Sequence, residues 1–131
     1  MNHIKIIEYC LKKPCAYLDY PFGPVFPVIK IKAPSQKKGR IFAQVFMLRG
    51  EPKATFNCTS ESAEFYRAVY PCSVMRGYHC PPVMQPYFNT VNLDGSVPDE
   101  EILLMIDHSY DAVAAKMPKY VQKELTESKI I

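Results

Sequence analysis

Residues 28–58 hold three β-type runs in close succession, and this limits the fold more than any other stretch. Val28-Ile-Lys-Ile-Lys32 alternates apolar and basic residues. Arg40 to Leu48 is long and rich in β-formers, and Lys53 to Cys58 is shorter. Only turn formers separate them: Pro34-Ser-Gln-Lys-Lys-Gly39, then Gly50-Glu-Pro52. Parallel neighbours need a crossover of a dozen residues or more. Connections this short therefore predict an antiparallel meander.

Helical patterns flank the meander. Residues 2–12 place Ile4, Ile7 and Leu11 at helical spacing, and Pro14 ends the run. Residues 17–24, Tyr-Leu-Asp-Tyr-Pro-Phe-Gly-Pro, read as a loop. A second helix is expected over 60–70, capped by Thr59 or Ser60, with Ala63, Tyr66, Val69 and Tyr70 on one face. Val74 to Tyr78 and Phe88 to Leu93 read as strands of a second hairpin. Pro81, Pro82 and Pro86 between them cannot donate to a ladder. Ser96-Val-Pro-Asp99 matches a capping box before a helix that runs to Met117. Its apolar stripe is Ile102, Leu103, Ile106, Tyr110, Val113, Ala114 and Met117. Pro118 breaks it, and 119–127 is a further short helix. The expectation is an α+β fold, a single domain over residues 1–131. It has an antiparallel sheet of about five strands, with the helices packed on one face.

Composition narrows the functional classes. The chain has 131 residues, 48% apolar and 22% charged, as a globular domain does. No apolar run approaches the ~20 residues of a membrane span, and the charged N-terminal helix is unlike a signal peptide. A cytoplasmic monomer with no membrane association is expected. The five cysteines form no C-x-x-C pair, so neither a disulfide framework nor a zinc site is indicated. Cys58 stands just before a helix start, where the dipole would lower its pKa. No catalytic, metal or cofactor motif is present, so no enzyme is expected.

Several segments in this order resemble the MmcQ/YjbR family across nearly the whole chain. They are Asp19-Tyr-Pro-Phe-Gly-Pro24, Tyr70-Pro71, Gly77-Tyr78-His79, Asn89-Thr90-Val91, Leu93-Asp94-Gly95, and Asp107-His-Ser-Tyr-Asp111 followed by Lys116-Met-Pro118. The resemblance implies a small α+β domain, CyaY-like and described as a double wing, and with it the DNA-binding label that such proteins carry by fold analogy. The chain departs from the pattern in one place. Many relatives have a short basic stretch and then His-Trp before Asn-Thr-Val. Here Cys80-Pro-Pro-Val-Met-Gln-Pro86 and Tyr87-Phe88 stand instead. The cations of that loop are missing.

Charge points to a different place. Residues 1–58 carry ten Lys and Arg against three Asp and Glu, while 59–131 carry six against ten. Lys30 and Lys32, on one face of their strand, with Lys37, Lys38 and Arg40 at the tip and return, make a hairpin suited to a phosphate backbone. Arg76 and His79, with Tyr78, are further candidates for gripping a phosphate or stacking on a base. Equally, these cations can be a solvated edge that keeps the hairpin soluble. An alternative partner surface is the proline-rich loop 80–88, through Val83, Met84, Tyr87 and Phe88. Tyr20 and Phe22 either line a groove with Tyr87 and Phe88 or close the core beneath their loops. Asp107, His108 and Asp111 share a helix, but lack a nucleophile or further ligand. They are assigned to bonding that helix to an adjoining loop.

Overall fold

The computed structural model describes residues 1–77 and 80–130, the last three by backbone alone. In chain order the elements are α1 (His3–Leu11), β1 (Ala16–Asp19), β2 (Val28–Ile31), β3 (Arg40–Leu48), β4 (Glu51–Asn57), α2 (Ser60–Val69) and β5 (Val74–Arg76). A 3₁₀ turn (Gln85–Tyr87), β6 (Phe88–Asn92), α3 (Asp99–Ala115) and α4 (Lys119–Ile130) follow. The strands form one antiparallel sheet in the order β1-β2-β3-β4-β6-β5.

The meander is its centre. Arg49 and Gly50 close the β3–β4 hairpin, both at positive φ (51° and 80°), the mirror-image turn whose twist suits a two-residue connection. Among the described residues the sheet has six strands, in line with the expected antiparallel sheet of about five and with one strand added. The added strand, β1, overlaps the first residues of the segment read as a loop, 17–24. It is four residues long, too short to show a period, and it ends in the turn formers Asp19, Tyr20 and Pro21. Pairing makes it a strand: Tyr17 opposes Lys30, Asp19 opposes Val28, and the Lys30 ammonium meets the Asp19 carboxylate at 2.8 Å.

The four α-helices among the described residues all contribute to one core on one sheet face. Ile29, Ile31, Val45, Ala54, Phe56 and Val91 point into it from the strands. Ile6 and Cys10 come from α1, Tyr66 from α2, Ile102, Ile106 and Tyr110 from α3, and Val121 and Leu125 from α4. The buried face of α1 is thus Ile6–Cys10, not the expected Ile4–Ile7–Leu11, since Ile4 and Leu11 are exposed. Apolar residues lie on two sides of this helix, and packing selects one of them. On α2, Ala63 and Tyr66 are buried as expected, whereas Val69 is exposed. The expected capping box of α3 does not form. Pro98 is the N-cap without a side-chain bond, and Ser96 instead turns onto Asp94, its N–H donating to Oδ1 at 3.0 Å.

On the opposite sheet face Phe26 stacks on Phe46, with centroids 5.3 Å apart, and Phe22 meets Phe26 edge-on. The loop after β1 therefore lids the sheet at the end away from Tyr87 and Phe88. The two aromatic pairs do not share a groove.

One irregularity organises the other end. Ile29 pairs with Ala43 but Lys30 pairs with Ile41, so Phe42 is an extra residue without a partner on β2. The bulge lets Phe42 and Ala43 both enter the core, where Phe42 meets the Tyr110 ring edge-on at 5.4 Å. On β4 the ladder stops at Ala43–Phe56, one step before Phe42 would face Asn57.

Candidate functional site

Register places the basic residues. Ala43, Phe56, Asn89 and Arg76 lie in one row across β3, β4, β6 and β5. Three strand steps of about 4.8 Å put Arg76 about 14 Å from Ala43. Arg40 lies three residues along β3, so Arg40 and Arg76 sit about 17 Å apart at the same end of the sheet. The β2–β3 turn, with exposed Lys37 and Lys38, projects from that end. Asp94, Asp99, Glu100 and Glu101, around the start of α3, mark the other end, and so does Glu51 in the β3–β4 hairpin. The uneven charge of the two halves of the sequence thus becomes a partial separation along the sheet: Arg49 and Lys53 also lie at the end of Glu51, and Glu124 reaches the β2–β3 turn.

Not every expected cation belongs to the basic end. Lys30 is half-buried and paired to Asp19, whose carboxyl it holds below the usual range, so it is withdrawn as a phosphate contact. Lys32 directly follows β2; it is half-buried and its backbone N–H bonds Cys15 O at 3.1 Å. Lys37, Lys38, Arg40 and Arg76 are exposed, with no ion-pair partner among the described residues. Ser35, beside the lysines, donates to the Glu124 carboxylate and ties the turn to α4. Tyr78 and His79 lie outside the described residues.

Loop 80–87 is braced. Met84 and Gln85 donate their N–H groups to Pro81 O at 2.8 and 3.1 Å, Gln85 Nε2 bonds Cys80 O, and Cys58 N–H donates to Tyr87 O at 2.8 Å. Val83 is nonetheless 81% exposed, and Met84 and Tyr87 are exposed beside it. Phe88 is the first residue of β6 and half-buried, so it is not part of that surface.

The Asp-His-Ser-Tyr-Asp helix is a fastening. Asp107 accepts from Tyr9 Oη at 2.8 Å and from the Lys13 ammonium. Tyr110 Oη donates to Pro14 O at 2.6 Å, and burial pushes its pKa up. Ser109 is fully buried; its hydroxyl donates to Phe42 O and accepts the Asn57 N–H at 2.9 Å. It stands in for the missing rung between β3 and β4. His108 and Asp111 are exposed, with no mutual bond among the described residues. The sequence reading singled out the charged members of the motif. Ser109 gave no signal, because its partners are backbone groups 67 and 52 residues away.

Burial raises the Cys58 thiol to about 11, reversing the expected helix-dipole effect, although Arg67 and Lys116 pull the other way. All five cysteines are free thiols, and the described residues hold no group of His, Cys, Asp and Glu that could bind a metal. No helix among them is long and apolar enough to cross a membrane.

These features define a small α+β domain, with one helix-backed antiparallel sheet and a cationic end. The family model described as YjbR matches residues 11–112, and the chain belongs to the YjbR family. It is 26% identical over 127 residues to the uncharacterized protein YjbR of Escherichia coli K12, covering 97% of this chain and 99% of that one. Among solved structures it is similar to Deinococcus radiodurans protein DR2400, a DUF419 domain. There the TM-score is 0.84 and the identity 27%, over 95% of this chain and 88% of that one. A Pseudomonas syringae protein shares the fold at TM-score 0.68 and 19% identity, over 86% and 98%.

Proposed function

We propose that this protein binds nucleic acid through its cationic sheet end, weakly and with little sequence preference. The observation that carries the reading is the gathering of Lys37, Lys38, Arg40 and Arg76 at one end, exposed and without acidic partners among the described residues. A span of about 17 Å covers the rise of about five phosphates along one strand. Such contacts position a duplex without reading it. The reading places the protein in the cytoplasm and assigns it no catalysis.

Fluorescence anisotropy with mixed-sequence duplex tests this. Four neutralised phosphates give log K against log salt a slope of about −3.6. The double variant Lys37→Glu, Lys38→Glu flattens that slope by about 2. No binding at low salt, or binding indifferent to salt, would sink the proposal.

A second reading rests on the braced loop. A loop held by its own hydrogen bonds, yet presenting Val83, Met84 and Tyr87 to solvent, suits a protein partner. Val83→Asp and Met84→Asp leave stability within about 0.5 kcal/mol and abolish capture of such a partner. Unchanged capture rejects this second reading.

A further inference from the structure

The carboxyl end of α3, helix α4 and the turn at Pro14 surround an open cleft of about 260 Å³. A water takes about 30 Å³ of liquid volume, so there is room for a molecule of several heavy atoms. The space exists because the α3 wall is made of small side chains: Ala115 is exposed and Ala114 half-buried.

The polar groups of this wall have acceptors to spare and their donors are spent. Pro14 has no N–H, and its carbonyl takes the Tyr110 hydroxyl proton at 2.6 Å. Thr126 donates its hydroxyl to Gln122 O at 3.0 Å. Gln122 Nε2 donates to Met117 O at 2.8 Å and meets Ala115 O at 3.5 Å, which leaves Oε1 as the group it offers. Asp111 is exposed, and its carboxylate has no hydrogen bond or ion pair among the described residues. The charge agrees. Lys13 stands 5.9 Å from the Tyr110 ring, but its ammonium is taken by Asp107. Lys116, the C-cap of α3, reaches toward the Cys58 thiol. Asp111 is left uncompensated, and the negative end of the α3 dipole adds to its field. A ligand here must bring N–H donors, and a positive charge favours it.

We propose that this cleft binds a small organic ammonium ion, whose N–H groups donate to Asp111 and the acceptors around it and whose short apolar chain lies against Ala114 and Ala115. The proposal does not rest on the nucleic-acid reading, none of whose cations lines the cleft.

Butylamine, protonated at neutral pH, and 1-butanol form the test, because they have the same length and only the first is charged. Each is titrated into labelled protein at about 0.15 M salt, where surface charges are screened, while the Ala114 and Ala115 methyls and the Gln122 side-chain amide are followed by NMR. The expected result is saturable shifts with butylammonium, at least tenfold weaker binding of butanol, and at least tenfold weaker butylammonium binding in Asp111→Asn. Ala115→Leu, which fills the cleft and keeps its charge, should lose binding as well. Equal binding of the two probes overturns the proposal, and so does the absence of a saturable butylammonium shift. Unchanged binding in Asp111→Asn overturns it too. Unchanged binding in Ala115→Leu would mean that cations gather at a bare carboxylate without a site, which also overturns it. Both substitutions fall at exposed positions of α3. Should either variant fail to fold, the comparison of the two probes on the wild type decides alone.

Discussion

Ser109→Ala removes one oxygen and should cost more than its size suggests. The hydroxyl serves two buried backbone groups, the Phe42 carbonyl and the Asn57 amide, that face each other across a broken ladder. Removing it orphans both. An unsatisfied buried polar group costs about 1–3 kcal/mol, so the pair should cost about 2–4 kcal/mol. The void left is smaller than a methyl group and adds little. For a domain whose whole stability is about 5–15 kcal/mol, that is a large fraction. Urea unfolding measures it. At an m of about 2 kcal/mol/M the midpoint should fall by about 1–2 M with m unchanged. Ser96→Ala, at an exposed turn, is the control and should stay within about 0.5 kcal/mol. A loss below about 0.5 kcal/mol in Ser109→Ala would refute the reasoning. It would mean that the strands close the rung themselves, with Asn57 N–H donating straight to Phe42 O. Faster amide exchange at Asn57 in the variant separates the two outcomes, because a closed rung would protect that proton.

Three further changes probe other parts of the fold. Gly77→Ala would place a Cβ 2.7 Å from Phe88 Cβ and 2.8 Å from Cys80 Sγ. A loss of about 1–3 kcal/mol in thermal or urea unfolding is expected, and a neutral result would reject this packing. Arg49 is a non-glycine residue at φ 51° in a turn that favours Asn before Gly. Arg49→Asn should raise stability by about 0.5–1 kcal/mol, and a drop in Tm would count against the turn assignment. Burial raises the Cys10 thiol to about 12 and Cys58 to about 11, whereas an unfolded thiol ionises near 9. The unfolded chain therefore loses these protons first. The stability due to neutral thiols is intact below about pH 9 and drains away as pH rises toward 11–12. The buried tyrosine Tyr110 acts in the same sense. Urea midpoints at pH 8 and pH 10.5 should fall in that order, and a flat profile would be the contrary result.

The meander, the α2 cap at Thr59 and the stripe of α3 could be read from local chemistry, because period, turn residues and caps all act within a few positions. Strand β1 could not, since its four residues become a strand only by meeting β2, through the Asp19–Lys30 pair. The same pair takes Lys30 out of the set of free cations that the sequence pattern predicts. A strand pattern shows which side a lysine faces, not which carboxylate folds beside it. Lys37, Lys38 and Arg40 were legible because a turn leaves side chains in water wherever it is placed. That Arg76 lies at the same end follows from register alone. The α1 face failed for a plainer reason: apolar residues at 4, 6, 7 and 11 fit two stripes, and only the tertiary packing chooses Ile6 and Cys10.

The four residues Asp107 to Tyr110 close contacts with Tyr9, Lys13, Pro14, Phe42 and Asn57, across 98, 94, 96, 67 and 52 positions of sequence. On a ribosome, chain emerges at about 5–20 residues per second. The meander, complete by residue 57, is therefore outside the tunnel well before the helix that fastens it. Until then its apolar face and its unclosed β3–β4 rung have no cover. Contacts of such long separation also slow the search for the native state. The nascent protein thus passes through an interval in which its best-formed part is also its most adhesive. Variants of this short helical turn are expected to reveal themselves as poor yield in the cell before any loss of binding can be measured.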